Sequence, residues 1–436
     1  MFATITGMTI PALTPRLYAT IAMAVVGLLF FTNWATYQYS VLGHVVPLVF
    51  YFGSMAFAVV LIWLCPKSLA SLFREPLFYW FFLYAVSGLI WVAFGGDLVA
   101  DGRDWRVRFL LFFLFSTGVV LSTMVDPRVF ANILLLSAVF SAVTYWHDFL
   151  NPYFYVPQGA PGSNPGRGAG LFINANQAGN ALIALIIAAM PFIGKQWRAF
   201  LLVVLLLGVV PTFSRSSILF VILAAGVWIW SGYFRRWNLV FLLVAMPLAA
   251  VSGYQLFNTG IVSSEVNLEN IMNRIAFFTE LGETLNFSAN ERQYVAELGW
   301  NKFSNHPLTG IGVGATDLAA SPWGYEQSTH NMFLRLLVEQ GVLGGLLYLS
   351  LVALILVRAW RLLKYPPSPM AGDIGLALLL VVLYFTFLGL FSHTLLQEPV
   401  GVLTLAFLVT LARRVEREAQ RSGHFLTRNP LRVSGG

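Results

Sequence analysis

Apolar runs about as long as a bilayer is thick recur along this chain. A helix needs about 20 mostly apolar residues to cross the hydrocarbon core. Twelve runs satisfy that test, near residues 17–33, 45–65, 76–95, 108–125, 129–148, 174–194, 199–213, 216–231, 237–253, 331–357, 373–391 and 399–412. The seventh and eighth are short, and only Ser214, Arg215 and Ser216 separate them. The expected fold is an all-α polytopic membrane protein of about 12 transmembrane helices. Helices 1–9 occupy 1–253, a large external loop with short helices fills 254–330, helices 10–12 occupy 331–412, and a basic cytoplasmic tail covers 413–436. Composition agrees: 58% of the 436 residues are hydrophobic and 10% charged, against roughly a quarter charged in soluble domains. The single Cys65 excludes an intrachain disulfide framework and a cysteine metal cluster. The first run follows a lone Arg16 and lacks a small-residue cleavage site, so it does not read as a cleaved signal peptide.

The net charge of +7 would suggest nucleic acid in a soluble chain, but in a membrane protein it records orientation, and no nucleic-acid partner is expected. Lys and Arg accumulate in short cytoplasmic loops. With twelve spans, seventeen of the 26 cations fall in the inside segments, from Arg16, Lys67 and Arg74 through Arg358 and Arg361 to the tail arginines. Both termini are then cytoplasmic and the 254–330 loop external. The other nine cations sit where the orientation rule does not want them. Arg103, Arg106 and Arg108 alternate with Asp97, Asp101 and Asp104 and read as a self-neutralised loop; Arg335 and Glu339, at helical i, i+4 spacing, read as an intrahelical pair. Arg167, Arg215 and Arg292 have no acidic residue within a few positions except Glu291, which suggests an anionic ligand at the external face.

Three external segments carry unusual chemistry. Residues 158–170 hold five glycines and two prolines in thirteen positions, a mobile loop bearing the cation Arg167. It leads into Asn174, Asn176, Gln177 and Asn180; capping explains one of these amides, and the rest need partners or a wet cavity. In the large loop, Ser288 to Asn290 could cap a helix starting near Glu291 with Arg292 in its first turn, followed by His306, Pro307, Leu308 and the run from Gly310 to Gly314, which reads as a tight turn rather than a phosphate loop. Finally, Ser328 or Thr329 is a natural N-cap that sets His330 in the first turn of the tenth span. The positive end of a helix disfavours imidazolium, so His330 is the first candidate base and His306 the second.

These residues resemble the bacterial O-antigen ligase, polymerase and protein O-oligosaccharyltransferase superfamily, most of all an O-antigen ligase. The resemblance rests on the span pattern with one large late loop, on His330-Asn331 followed after nine residues by Gly341, on Phe213 to Ser216, on Arg292 leading to Asn305 through Gly310, and on Gly170 to Asn176. It implies a fold of the C-type glycosyltransferase class and a location in the bacterial inner membrane, with the active site at the periplasmic face. It also implies an undecaprenyl diphosphate-linked glycan donor, a lipid A-core acceptor and surrounding membrane lipid. Arg215 and Arg292 would hold the diphosphate and His330 would be the catalytic base, with Arg167, Asn176, Asn331 and His306 as possible substrate contacts. No external Asp-x-Asp element occurs, so neither a metal nor another cofactor is expected. Within the superfamily, a polymerase or a protein O-oligosaccharyltransferase remains an alternative. A transporter or flippase is the alternative of a different class, and would be expected to show repeated halves and ionisable groups near mid-span.

The topology is testable by cysteine scanning in intact cells. A cysteine at Gly423 is expected to stay inaccessible to an impermeant periplasmic label; labelling there would sink the twelve-span arrangement.

Overall fold

The computed structural model describes residues 14–44, 46–95, 98–158, 166–233, 287–317, 323–325 and 328–421. Each expected run within them holds a helix. In chain order these are α1 (Pro15–Phe31), α2 (Trp34–Ser40), α3 (Pro47–Leu64), α4 (Lys67–Phe73), α5 (Pro76–Gly95), α6 (Leu98–Ser122), α7 (Pro127–Leu150), α8 (Ala175–Ala189), α9 (Arg198–Val209), α10 (Arg215–Trp230), α11 (Phe287–Asn305), α12 (Met332–Lys364), α13 (Pro369–Leu383) and α14 (Pro399–Arg421). The ninth run, the external loop up to residue 286 and the tail beyond 421 lie outside the described residues, so the expectations for them are not addressed. No strand occurs among the described residues.

Local chemistry sets the helix starts. Proline occupies the first turn of α1, α3, α7 and α13, where its missing N–H costs nothing. Thr14, Asp126 and Ser368 cap three of these by accepting from backbone N–H groups of the first turn. Six helical segments among the described residues are long and apolar enough to cross a membrane, or seven if α1 and α2, bent by 47°, form one span. This is a multi-pass membrane protein. Burial orders the bundle: the segment Ala175–Phe192 is 83% buried, whereas Pro47–Leu64 is 17% buried and turns most of its surface outward. α8 therefore sits at the centre, with α7, α9, α10, α13 and α14 packed around it.

α12 is one helix in hydrogen-bond pattern but is broken at Gly341, whose φ of 64° and ψ of −157° are not helical. Residues 307–312 strap across the break. Val342 donates its N–H to Pro307 O at 2.8 Å, while Ile311 and Gly312 donate theirs to Val338 O and Glu339 O at 2.8 and 3.1 Å. The strap satisfies backbone groups that the break would leave bare inside the protein. A side chain at Gly341 would strike Leu308 O at 2.5 Å, and one at Gly310 would strike the backbone of Glu339. The Gly310 to Gly314 run is thus a turn moulded to α12.

Beside the break, charge is buried. Arg335 donates from Nε to Glu339 at 2.9 Å and from Nη2 to Asp104 and Asp317 at 3.1 and 2.7 Å. Arg108 donates to Asp104 at 2.8 Å and Glu339 at 3.3 Å, and Thr316 Oγ1 donates to Glu339 at 2.6 Å. The expected intrahelical pair is therefore present within a larger cluster. The loop expected around Arg103 to Arg108 is helix instead: α6 starts at Leu98, and Asp104 and Arg108 lie on its buried face, drawn in by the opposite charges of α12. At the other end of α5, Glu75 joins Arg358 at 2.9 Å and Arg413 at 3.4 Å, so cations assigned to the inside also stitch helices together.

The break gives a contrast of two glycines. Gly341→Ala is expected to cost more than ~1 kcal/mol and lower the melting temperature of the detergent-purified protein, since both φ and space oppose it. Gly53→Ala, in exposed α3 with nothing within 4 Å, is expected to be neutral or stabilising. Equal melting temperatures for the two variants would contradict the strapped break.

Candidate functional site

The site is assembled from the start of α8, the turn before α10, the helix α11, the residues preceding α12, and the 392–398 segment between α13 and α14. The turn comes first. A short 3-10 helix over Val210–Thr212 ends at Phe213, whose φ of 45° reverses the chain so that α10 can begin at Arg215. Arg167 reaches this turn: its Nε donates to Thr212 O at 2.9 Å and its Nη2 to Asn176 Oδ1 at 2.7 Å, a guanidinium fork joining loop, turn and α8. Next to it, Gly168 N–H donates to Pro211 O at 2.7 Å, while Ala169 and Gly170 donate to Asp148 Oδ2 at 2.8 and 2.9 Å. The glycine-rich segment expected to be mobile is therefore pinned from residue 168 to residue 170, because its short backbone fits against α7 and finds acceptors there.

The four amides divide as their chemistry requires. Asn174 caps α8 by accepting from Asn176 N–H and Gln177 N–H. Asn176 receives Arg167, Gln177 donates to Thr394 Oγ1 at 3.5 Å, and Asn180 donates to Glu398 Oε1 at 3.5 Å. Ser217 continues the chain, donating to Asn180 Oδ1 at 3.3 Å, while its Oγ lies 2.9 Å from the hydroxyl of Ser214, one residue before Arg215. Burial pushes the Glu398 carboxyl up to about 8, with Asn180, Thr394 and Tyr384 hydrogen-bonded to it.

Arg215, Arg292 and His330 come together although 115 residues of sequence separate the first from the last. The charge of Arg292 acts on both Arg215 and His330. α11 starts at Phe287, earlier than the expected Glu291, so Arg292 lies beyond its first turn. Val295, Leu298 and Phe303 of α11 pack with Trp323 against Leu334 and Val338 of α12, which aligns Arg292 with the start of α12.

The start of α12 corrects the expected capping. Asn331, not Ser328 or Thr329, is the N-cap: its Oδ1 accepts from Leu334 N–H at 3.0 Å, the bond that an asparagine at this position makes best. His330 therefore stands before the helix, with a left-handed φ of 52° that is uncommon for a residue with a Cβ and costs of order 1–3 kcal/mol. Burial and the nearby Arg292 push its imidazole below the ordinary 6.5, with Glu291 partly opposing. Asn331 is committed to capping. His306 is exposed at the end of α11, where its backbone closes a turn with Lys302, Phe303 and Gly310, and nothing brings its ring to the arginines among the described residues. The histidine that does meet His330 is His393, at 5.4 Å between ring centroids. Sequence reading passed over His393, Glu398 and Asp148; the polar run Ser392, His393, Thr394 between two apolar spans was the available signal.

Fold and site together define a multi-pass membrane protein with a basic, histidine-bearing site built at helix ends. A family model described as O-antigen ligase matches residues 200–349, the stretch that holds Arg215, Arg292 and His330. The match supports a member of the O-antigen ligase superfamily, a family of glycosyltransferase-like ligases and polymerases. No curated protein matches it.

The lowered proton affinity of His330 has a defined sign. Between its folded value and the ordinary 6.5 the unfolded chain binds the proton and the folded chain does not, so this group's contribution reduces stability as pH falls through 6.5. Nuclear magnetic resonance of labelled histidines should find His330 titrating below 6.5. A midpoint at or above that value would contradict the buried, Arg292-facing geometry.

Proposed function

We propose that this protein transfers a glycan from undecaprenyl diphosphate to a sugar hydroxyl of lipid A-core at the periplasmic face of the bacterial inner membrane. The observation that carries the reading is the convergence of Arg215, Arg292 and His330 from three separate segments, with the Arg292 charge acting on both of the others. Two guanidiniums held close repel each other, and a diphosphate would relieve that repulsion while accepting forked hydrogen bonds. A neutral imidazole beside them has a ring nitrogen that can take up a proton, as a general base requires.

In this reading the acceptor hydroxyl attacks the anomeric carbon of the donor while His330 takes the hydroxyl proton. The bond from the anomeric carbon to the diphosphate oxygen breaks, its electron pair leaves with the diphosphate, and Arg215 and Arg292 stabilise the developing charge. One displacement inverts the anomeric centre. Arg167 contributes by holding Asn176 and the 210–214 turn, and so acts on Arg215 from behind. Asn331 serves by fixing the start of α12. No metal enters the reading, because no external acidic pair has the sequence spacing of a divalent-ion site.

The test uses purified protein with a lipid-linked glycan donor, offered lipid A-core, a peptide or no separate acceptor. Transfer to lipid A-core alone supports the reading, whereas glycan extension or peptide modification moves the protein elsewhere in the superfamily. Arg215→Ala and Arg292→Ala should weaken donor binding and slow transfer, and Lys should rescue either only in part. His330→Ala should bind donor normally and lose about a hundredfold to ten-thousandfold in turnover; near wild-type turnover would remove it from the mechanism. Chelation should leave the rate unchanged, and a rate abolished by chelator and restored by magnesium would require a metal in the mechanism.

A further inference from the structure

His330 precedes its helix in a left-handed conformation, so the ladder of α12 does not orient its ring. Orientation has to come from what lies against it. One ring that lies against it is His393, placed edge to face at 68° and 5.4 Å. His393 sits on a segment fastened at four points. Its carbonyl accepts from Arg335 Nη1 at 3.4 Å, Thr394 Oγ1 accepts from Gln177, Gln397 donates to Asp104, and Glu398 accepts from Asn180 and Tyr384. Arg335 is itself locked by Glu339, Asp104 and Asp317. The His393 ring makes no hydrogen bond among the described residues, so its position comes from its backbone and not from a partner of its own.

We infer that His393 is a positioning residue for His330: it is a rigid wall, fixed through its backbone to the buried ionic cluster, that holds the His330 ring toward the reacting hydroxyl. The inference rests on the reading of His330 as the base. It extends that reading by making the cluster of α6 and α12 the foundation of the base's geometry. The alternative is a histidine that fills space and adds stability without affecting its neighbour.

Several charged groups bear on the pair. Arg292 and Glu291 of α11 face His330, and Arg335 of α12 faces His393. A pH effect of substituting His393 must therefore be separated from theirs, which is done by leaving all three in place. Phe at 393 keeps a ring wall and removes the imidazole nitrogens. Ala removes the wall.

The experiment compares full-length wild type, His393→Ala, His393→Phe and His330→Ala in detergent. It measures turnover at saturating donor, donor binding, melting temperature and the nuclear magnetic resonance titration of His330. His393→Ala should lose about tenfold or more in turnover with donor binding unchanged, and the His330 midpoint should rise toward 6.5 as water replaces the ring. His393→Phe should recover turnover to within about threefold of wild type and restore the low midpoint. Wild-type turnover and titration in His393→Ala would overturn the inference, as would a loss that follows melting temperature alone or a folded Phe variant no better than Ala. The titration does not depend on transfer. If the wild type transfers no glycan, the proposed function falls while the His330 midpoint still decides whether His393 positions it.

Discussion

The ion pairs between Arg335, Glu339, Asp104 and Arg108 are the interaction on which the rest of this structure leans. Their charges are nearly withdrawn from solvent, with Arg335 1% and Glu339 0% exposed. Burying an ion costs several kcal/mol, and removing one member of a buried pair typically costs about 3–5 kcal/mol because its partner is left uncompensated. The cluster is therefore tolerated only where geometry satisfies it, and that requirement fixes α6 against the first turns of α12, with Asp317 and Gln397 brought in from two loops. A hydrophobic contact could slide along the helix; this set of directional bonds cannot.

That rigidity meets a deliberate interruption. Six residues beyond Arg335 the helix breaks at Gly341, and the 307–312 strap takes over the backbone groups that the break releases. The strap follows α11, so the same piece of chain that closes the break also delivers Arg292 toward the start of α12. Helix break, strap and ionic cluster are three parts of one device that sets the short segment from Met332 to Gln340, and His330 in front of it, at a defined angle to the bundle.

The second half of the site hangs from α8. Its small side chains let neighbouring helices come close: a Cβ at Gly179 would overlap Ser217 of α10. Its amides then reach outward to the Arg167 loop, to Thr394 and to Glu398. The 392–398 segment is where the two halves join, since Gln397 belongs to the ionic cluster and Glu398 to the amide network. Arg215 and His330 are thus held by two separate polar networks that share one short loop.

Much of this was readable from the sequence, for physical reasons. Apolar run length is a local property, and the cost of bare backbone in lipid turns it into helices wherever the described residues can be compared. Helix starts at Pro15, Pro47, Pro127 and Pro369 are equally local, as is the pair of Arg335 with Glu339 four residues on. Chemistry without a local explanation marked Arg167, Arg215, Arg292 and His330. What the sequence could not decide was partnership. Asp104 and Arg108 looked self-sufficient because acidic and basic neighbours alternate there, yet they are helical and pair across 231 residues with α12. Local sequence put His306 ahead of His393 as a candidate base. Only the packing of α11 on α12, and the anchoring of the 392–398 segment by Arg335, turned one out to solvent and set the other against His330, because long-range contacts are made by folded helices and not by spacing along the chain.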